Sequence, residues 1–206
     1  MTKSKQLVKI ICSLLLPAGL LFSCGGSTTT SESATKTDSM ATQPATETKK
    51  EEMPEDKSKR PSPPATAEGK SGDVSIKVDY SQPALKGRKV FGSDIIPYGE
   101  VWRTGANEAT TITFDKDVTI EGQKLAAGTY ALFSIPNEKE WTLIFNKTAK
   151  QWGAFEYKKD DDALRVTVKP TEEKESLERF TITVSEDGKV SIQWDKVKVS
   201  FKVGKA

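Results

Sequence analysis

The chain has 206 residues, 31 Lys+Arg against 29 Asp+Glu, and no His; it is close to neutral, with no basic excess to grip nucleic acid. Without His there is no Ser-His-Asp or Cys-His nucleophile pair and no His-ligated zinc or iron. The two cysteines, Cys12 and Cys24, both lie near the N-terminus, so no disulfide staples a later domain, and chemistry is left to carboxylates, Lys, Tyr, Ser and Thr.

In chain order the first element is an address. Lys3, Lys5 and Lys9 precede an apolar run from Ile10 to Phe22, which is short for a mature transmembrane helix and has the charge pattern of a secretory signal. It closes on Leu21-Phe22-Ser23-Cys24-Gly25, which resembles a bacterial lipobox: an aliphatic residue, a bulky one, a small one, then Cys. The resemblance implies cleavage before Cys24 and acylation of its sulfur and new amino group. At about 0.8 kcal/mol per buried CH2, two or three acyl chains anchor durably where one would be marginal. Gly25 stands where the enteric sorting rule has a retention Asp, and no acidic cluster follows Cys24. The expectation is a signal peptide over 1–23 and a lipid-anchored cell-envelope protein of the outer membrane, its domain in the periplasm.

Residues 24–72 read as the lipidated Cys and a tether. Gly25 to Gly72 contains no Val, Ile, Leu, Phe, Trp, Tyr or Cys and is built from Ser, Thr, Ala, Pro, Lys and Glu. Such a stretch buries too little apolar surface to offset its ordering entropy, so disorder is expected.

Residues 73–206 read as strands. Val74, Ile76, Val78 and Tyr80 alternate with polar residues, the period of a half-buried strand. Thr110 to Phe114 and Val118 to Ile120 follow, then a turn over Glu121 to Lys124, and apolar runs over Gly128 to Ile135 and Trp141 to Phe145. Leu164, Val166 and Val168 alternate, as do Phe180, Ile182 and Val184. Asp187-Gly188 then marks a hairpin before Val190, Ile192 and Trp194, with a last run over Val197 to Val203. Glu172 to Arg179 is the one stretch that reads as a helical turn. Short strands with frequent turns predict a single all-β domain, an antiparallel β-sandwich or jelly-roll-like fold.

The densest mixture of Trp, Arg, Asn and Glu runs from Tyr98 to Phe114. Trp102 and Arg103 are adjacent and face opposite sides of a strand. Two readings stand side by side. In one, Arg103, Asn107, Glu108 and Trp102, with Arg88 and Trp152, form a site for a carboxylate, phosphate or sugar. In the other, Arg103 and Glu108 pair across a structural corner. Glu100, Glu108 and Asp115 supply the carboxylates that glycoside hydrolysis would need. Asp160-Asp161-Asp162 lacks the spacing of a calcium loop, and Gly87 to Gly92 that of a phosphate loop, so neither a metal nor a cofactor is expected.

Several runs resemble the domain of unknown function DUF2911, found in secreted and lipid-anchored proteins, mostly of the Bacteroidetes. They are Tyr80-Ser81-Gln82-Pro83, Pro97 to Thr110 with its Trp102-Arg103-Thr104-Gly105-Ala106-Asn107-Glu108 core, Ala127 to Pro136, Trp141 to Asn146 and Gln151-Trp152-Gly153. The resemblance implies a cell-envelope β domain and brings no catalytic residues. The leading expectation is a non-enzymatic binding module for a small ligand, glycan or envelope partner. A carboxylate-based glycan hydrolase and a purely structural envelope partner are the alternatives.

Overall fold

The computed structural model of the protein describes residues 55–206. The expected signal peptide, Cys24 and the tether up to residue 54 lie outside the described residues. Glu51–Ala206 forms one compact unit.

Ten strands build two antiparallel sheets. They are β1 (Pro64–Ser71), β2 (Val74–Ser81), β3 (Thr111–Phe114), β4 (Val118–Ile120), β5 (Gln123–Leu125), β6 (Gly128–Ile135), β7 (Trp141–Asn146), β8 (Asp162–Val168), β9 (Thr171–Val184) and β10 (Lys189–Lys205). One sheet has the order β1-β2-β3-β6-β7-β8, the other β5-β4-β10-β9. The two inner faces close on one core, the arrangement of a β-sandwich.

Two-residue alternation produces this core directly. Val74, Ile76 and Val78 point inward from β2, Phe180 and Ile182 from β9, and Val190, Ile192 and Trp194 from β10, all at 2% exposure or less. At the centre Trp102 stacks on Trp194, with centroids 6.2 Å apart and planes 17° apart. Phe91 and Phe180 meet both rings edge-on, and Trp141 meets Trp102 and Phe91 edge-on. Edge-on and offset aromatic contacts of this kind contribute about 0.5–1.5 kcal/mol each beyond area burial.

Two expectations are corrected. The tether was expected to run to Gly72, but Pro64–Ser71 is a strand whose every residue pairs with β2, from Pro64↔Ser81 to Ser71↔Val74. Its inward positions are small: Ala65 and Ala67 pack on the core, and Gly69 is where β1 meets β9. A Cβ on Gly69 would lie 2.6 Å from Val184 Cγ1. The backbone ladder, rather than large side chains, holds β1, which is why composition alone reads as disorder.

The second correction concerns Glu172 to Arg179, which is strand throughout as part of β9. β9 lies at a sheet edge beside β10, so its charged side chains face water and blunt the edge. Its pairing with β10 shifts register on both sides of Asp195, whose φ is +53°. These irregularities let β10 run unbroken through what reads as two strands. Smaller differences follow turn chemistry. Glu121 and Gly122, at φ +49° and +80°, make the tight turn between β4 and β5, the backbone pattern that suits a two-residue hairpin.

Candidate functional site

The Tyr98 to Phe114 stretch is a corner laid against β6. Trp102 exchanges both backbone hydrogen bonds with Ser134 (2.8 and 2.9 Å), and the Leu132 amide donates to the Thr110 carbonyl at 2.7 Å. Residues 103–109 bulge out between those two anchor points. Inside the bulge Thr110 Oγ1 donates to the Thr104 carbonyl at 2.6 Å, Thr104 Oγ1 to Ser134 Oγ at 3.0 Å, and Trp102 Nε1 to the Gly105 carbonyl at 3.1 Å. Thr104 and Asn107 both have positive φ, +51° and +59°. A non-glycine residue holds that conformation only where its surroundings fix it, and here Thr104 is fully buried.

The corner divides the expected site residues. Trp102 belongs to the core, its ring packed among Phe91, Trp141, Phe180 and Trp194, and it also lines the cleft beside Arg103. Asn107 Nδ2 donates to the Ser62 carbonyl at 2.9 Å and to Ser81 Oγ at 3.3 Å, so it pins the entry of the chain into β1. Arg88 is exposed and donates to its own turn, Nε to the Leu85 carbonyl and Nη2 to the Ala84 carbonyl, both at 2.9 Å.

Arg103 and Glu108 do not pair. Glu108 instead accepts from Lys57 Nζ at 2.7 Å and from Arg60 Nη1 at 2.9 Å. Partial burial works against the Glu108 carboxylate. Hydrogen bonds from Lys57, its own backbone amide and Arg60 outweigh that penalty and hold its pKa down at about 2. Arg60 also pairs with Glu55, and its guanidinium lies 5.6 Å from the centroid of the Trp152 ring. Glu108 and Trp152 form a β-bridge, so residues 57–62, the corner and the 147–161 loop are tied together. Composition alone places Lys57 and Arg60 in the tether. No sequence signal links them to an acid about fifty positions away.

Arg103 is left alone. It makes no ion pair among the described residues, and its buried Nε has no hydrogen-bond partner. Desolvation lowers its pKa, and no neighbouring anion opposes that shift. The side chain lines a cleft of about 110 Å3 with Ile95, Pro97, Glu100, Val101 and Ala154. Behind this cleft Val101, Ala154 and Tyr157 pack on a second apolar cluster of Ala109, Ala131, Phe133 and Ile144. The arrangement is a half-buried guanidinium with apolar walls and one carboxylate at the rim.

The three carboxylates considered for glycan hydrolysis have separate settings. Glu108 is ion-paired, Asp115 Oδ1 accepts from the Ser75 amide at 2.7 Å, and Glu100 lines the Arg103 cleft. Among the described residues no group of three or more His, Cys, Asp or Glu is placed to hold a metal ion.

A family model described as "Protein of unknown function (DUF2911)" matches residues 62–203. The chain belongs to the DUF2911 family. No curated protein and no solved structure matches it. The DUF2911 match opens at Ser62, whose carbonyl Asn107 holds, so it takes in β1 and the whole corner. Lys57 and Arg60 fall just outside it, while Glu108 falls inside.

Proposed function

We propose that this DUF2911 protein is a non-enzymatic binding module, held at the outer membrane through acylated Cys24 with its domain in the periplasm, that receives an anionic group of a small ligand or glycan on Arg103. The observation that carries the binding assignment is the half-buried guanidinium in an apolar-walled cleft, with a buried, unpartnered Nε and no ion pair among the described residues. Burying a charged donor without a partner costs stability, and a ligand carboxylate or phosphate would recover that cost on binding. Arg is the side chain best shaped for this task, because its planar fork donates two parallel hydrogen bonds to a carboxylate or phosphate. The cleft volume suits a single charged group with a short apolar or sugar-ring neighbour.

The test is a thermal-shift panel of sugar acids, short carboxylates and phosphate esters on the folded domain. A ligand that raises the melting temperature should lose about 10-fold or more in affinity in Arg103→Ala, the scale of one charge-assisted hydrogen bond. Arg103→Lys should recover only part, because an ammonium makes no bidentate contact. A panel in which Arg103→Ala binds every active ligand as tightly as the parent removes Arg103 from the site.

A further inference from the structure

We infer that the loop joining β7 to β8 docks the domain on a lipid bilayer through Trp152 and Phe155. This rests on the membrane-anchor part of the proposed function and is independent of the Arg103 cleft. Phe155 is 85% exposed and Trp152 54%, the two most exposed large apolar side chains among the described residues. Both project from one loop whose inner residues Ala154 and Tyr157 pack on the second apolar cluster. The loop therefore has an apolar underside and an apolar outer tip.

The tip is held in place. The Gly153 amide donates to the Asn107 carbonyl and the Ala109 amide to the Gln151 carbonyl, both at 3.0 Å, and Gln151 Nε2 donates to the Thr148 carbonyl at 2.6 Å. Gly153 has φ +65°, and a Cβ there would sit 2.9 Å from the Phe155 ring. The ring rests against the bare glycine backbone while its outer surface meets solvent. A fixed backbone that presents Trp and Phe outward suits an apolar surface without the ordering cost that a mobile loop carries.

The point where the anchor joins the domain selects a membrane as that surface. The first described residues are fastened beside this loop: Arg60 lies over Trp152, and Lys57 and Arg60 pair with Glu108, the bridge partner of Trp152. About 30 residues separate Cys24 from this point. An acylated Cys24 thus keeps this loop at high effective concentration near the bilayer, where even weak docking is populated. Trp and Phe are residues of the membrane interface. Lys147, Lys150, Lys158 and Lys159 flank them in the sequence, and Glu156, Asp160 and Asp161 nearly balance that charge. Docking is accordingly led by the aromatic pair and depends little on salt.

The experiment uses Glu51–Ala206, a compact unit that lacks the anchor, floated with vesicles of phosphatidylethanolamine and phosphatidylglycerol. The parent should co-float, with a blue-shifted Trp emission that Trp152→Phe removes, since Trp102, Trp141 and Trp194 are buried. Phe155→Ala should lower partitioning by about tenfold, in line with the loss of one buried aromatic side chain. Arg103→Ala should leave partitioning unchanged, and melting curves should show all variants folded. The inference fails if the parent does not float, if Phe155→Ala floats equally well, or if the parent instead forms a dimer that Phe155→Ala dissolves. Release from cell membranes of a full-length Cys24→Ala/Phe155→Ala chain, compared with Phe155→Ala alone, bears on the anchor alone and separates the two failures.

Discussion

Glu108→Gln tests whether one carboxylate clasps the start of the domain to its corner. The native pKa of about 2 lies below the unfolded value of 4.5. The folded state therefore binds fewer protons than the unfolded chain as the pH falls. Stability from this group is fully present above about pH 4.5 and is lost as the pH drops through about 2. A shift of that size converts to roughly 3 kcal/mol at most. The Glu108 side chain is 39% exposed, so solvent screening reduces the contribution to about 1 kcal/mol. For a domain of this size that is about 2–4 °C in melting temperature.

Melting curves from pH 2 to 7 should show Glu108→Gln lower by this amount at neutral pH, with the two proteins converging near pH 2. Limited proteolysis with trypsin should cut the variant faster at Lys57 or Lys59 while the β-sandwich stays intact. Parallel melting curves that keep a constant gap down to pH 2 would show that the carboxylate charge is not what holds the clasp. A variant that fails to fold would show that the clasp and the core are a single cooperative unit.

Gly69→Ala should destabilise the domain by about 1–2 kcal/mol in urea unfolding, because its Cβ would meet both the side chain and the carbonyl of Val184, at 2.6 and 2.9 Å. Adding Val184→Ala should restore only part of that loss, since the carbonyl contact remains; full restoration would show that backbone crowding plays no role. In a Phe155→Ala background, which removes the loop's own docking, Cys24→Ala should move the full-length protein from the membrane fraction to the soluble periplasmic fraction, and retention through a high-salt wash would remove the lipid anchor from the proposed function.

Those strands were legible wherever large apolar residues alternate with polar ones. Val74-Ile76-Val78 and Phe180-Ile182-Val184 signal strands buried on one face unaided, and the Asp187-Gly188 turn places the hairpin between β9 and β10. β1 was hidden because its inward residues are Ala65, Ala67 and Gly69, which carry almost no hydrophobic signal and owe their place to the ladder with β2. The first part of β9 was hidden for the opposite reason: an edge strand can carry a run of charges that in isolation suits a helix equally well. At the corner, alternation correctly put Trp102 and Arg103 on opposite sides. The partner of Glu108 was not legible, because Lys57 and Arg60 lie 51 and 48 residues away, and only the fold brings them near.

That division explains how one short motif can serve both the fold and a ligand. Trp102 faces inward and stacks on Trp194 between the sheets, while its backbone is bonded twice to Ser134. Thr104, two positions on, is fully buried and bonded to Ser134 and Thr110. Arg103 lies between two immobile neighbours, and its own carbonyl accepts from the Thr110 amide at 3.2 Å. Its side chain therefore leaves the corner from a fixed origin and enters a cleft whose walls are also fixed, by the second apolar cluster. A surface arginine would be hydrated and free to rotate, and would lose both properties on binding. Arg103 has already lost its water at Nε and the freedom of its backbone. On the proposed function, much of the ordering cost of ligand capture is therefore met during folding, and the rigidity that makes the corner look purely structural is what would make its one outward charge selective.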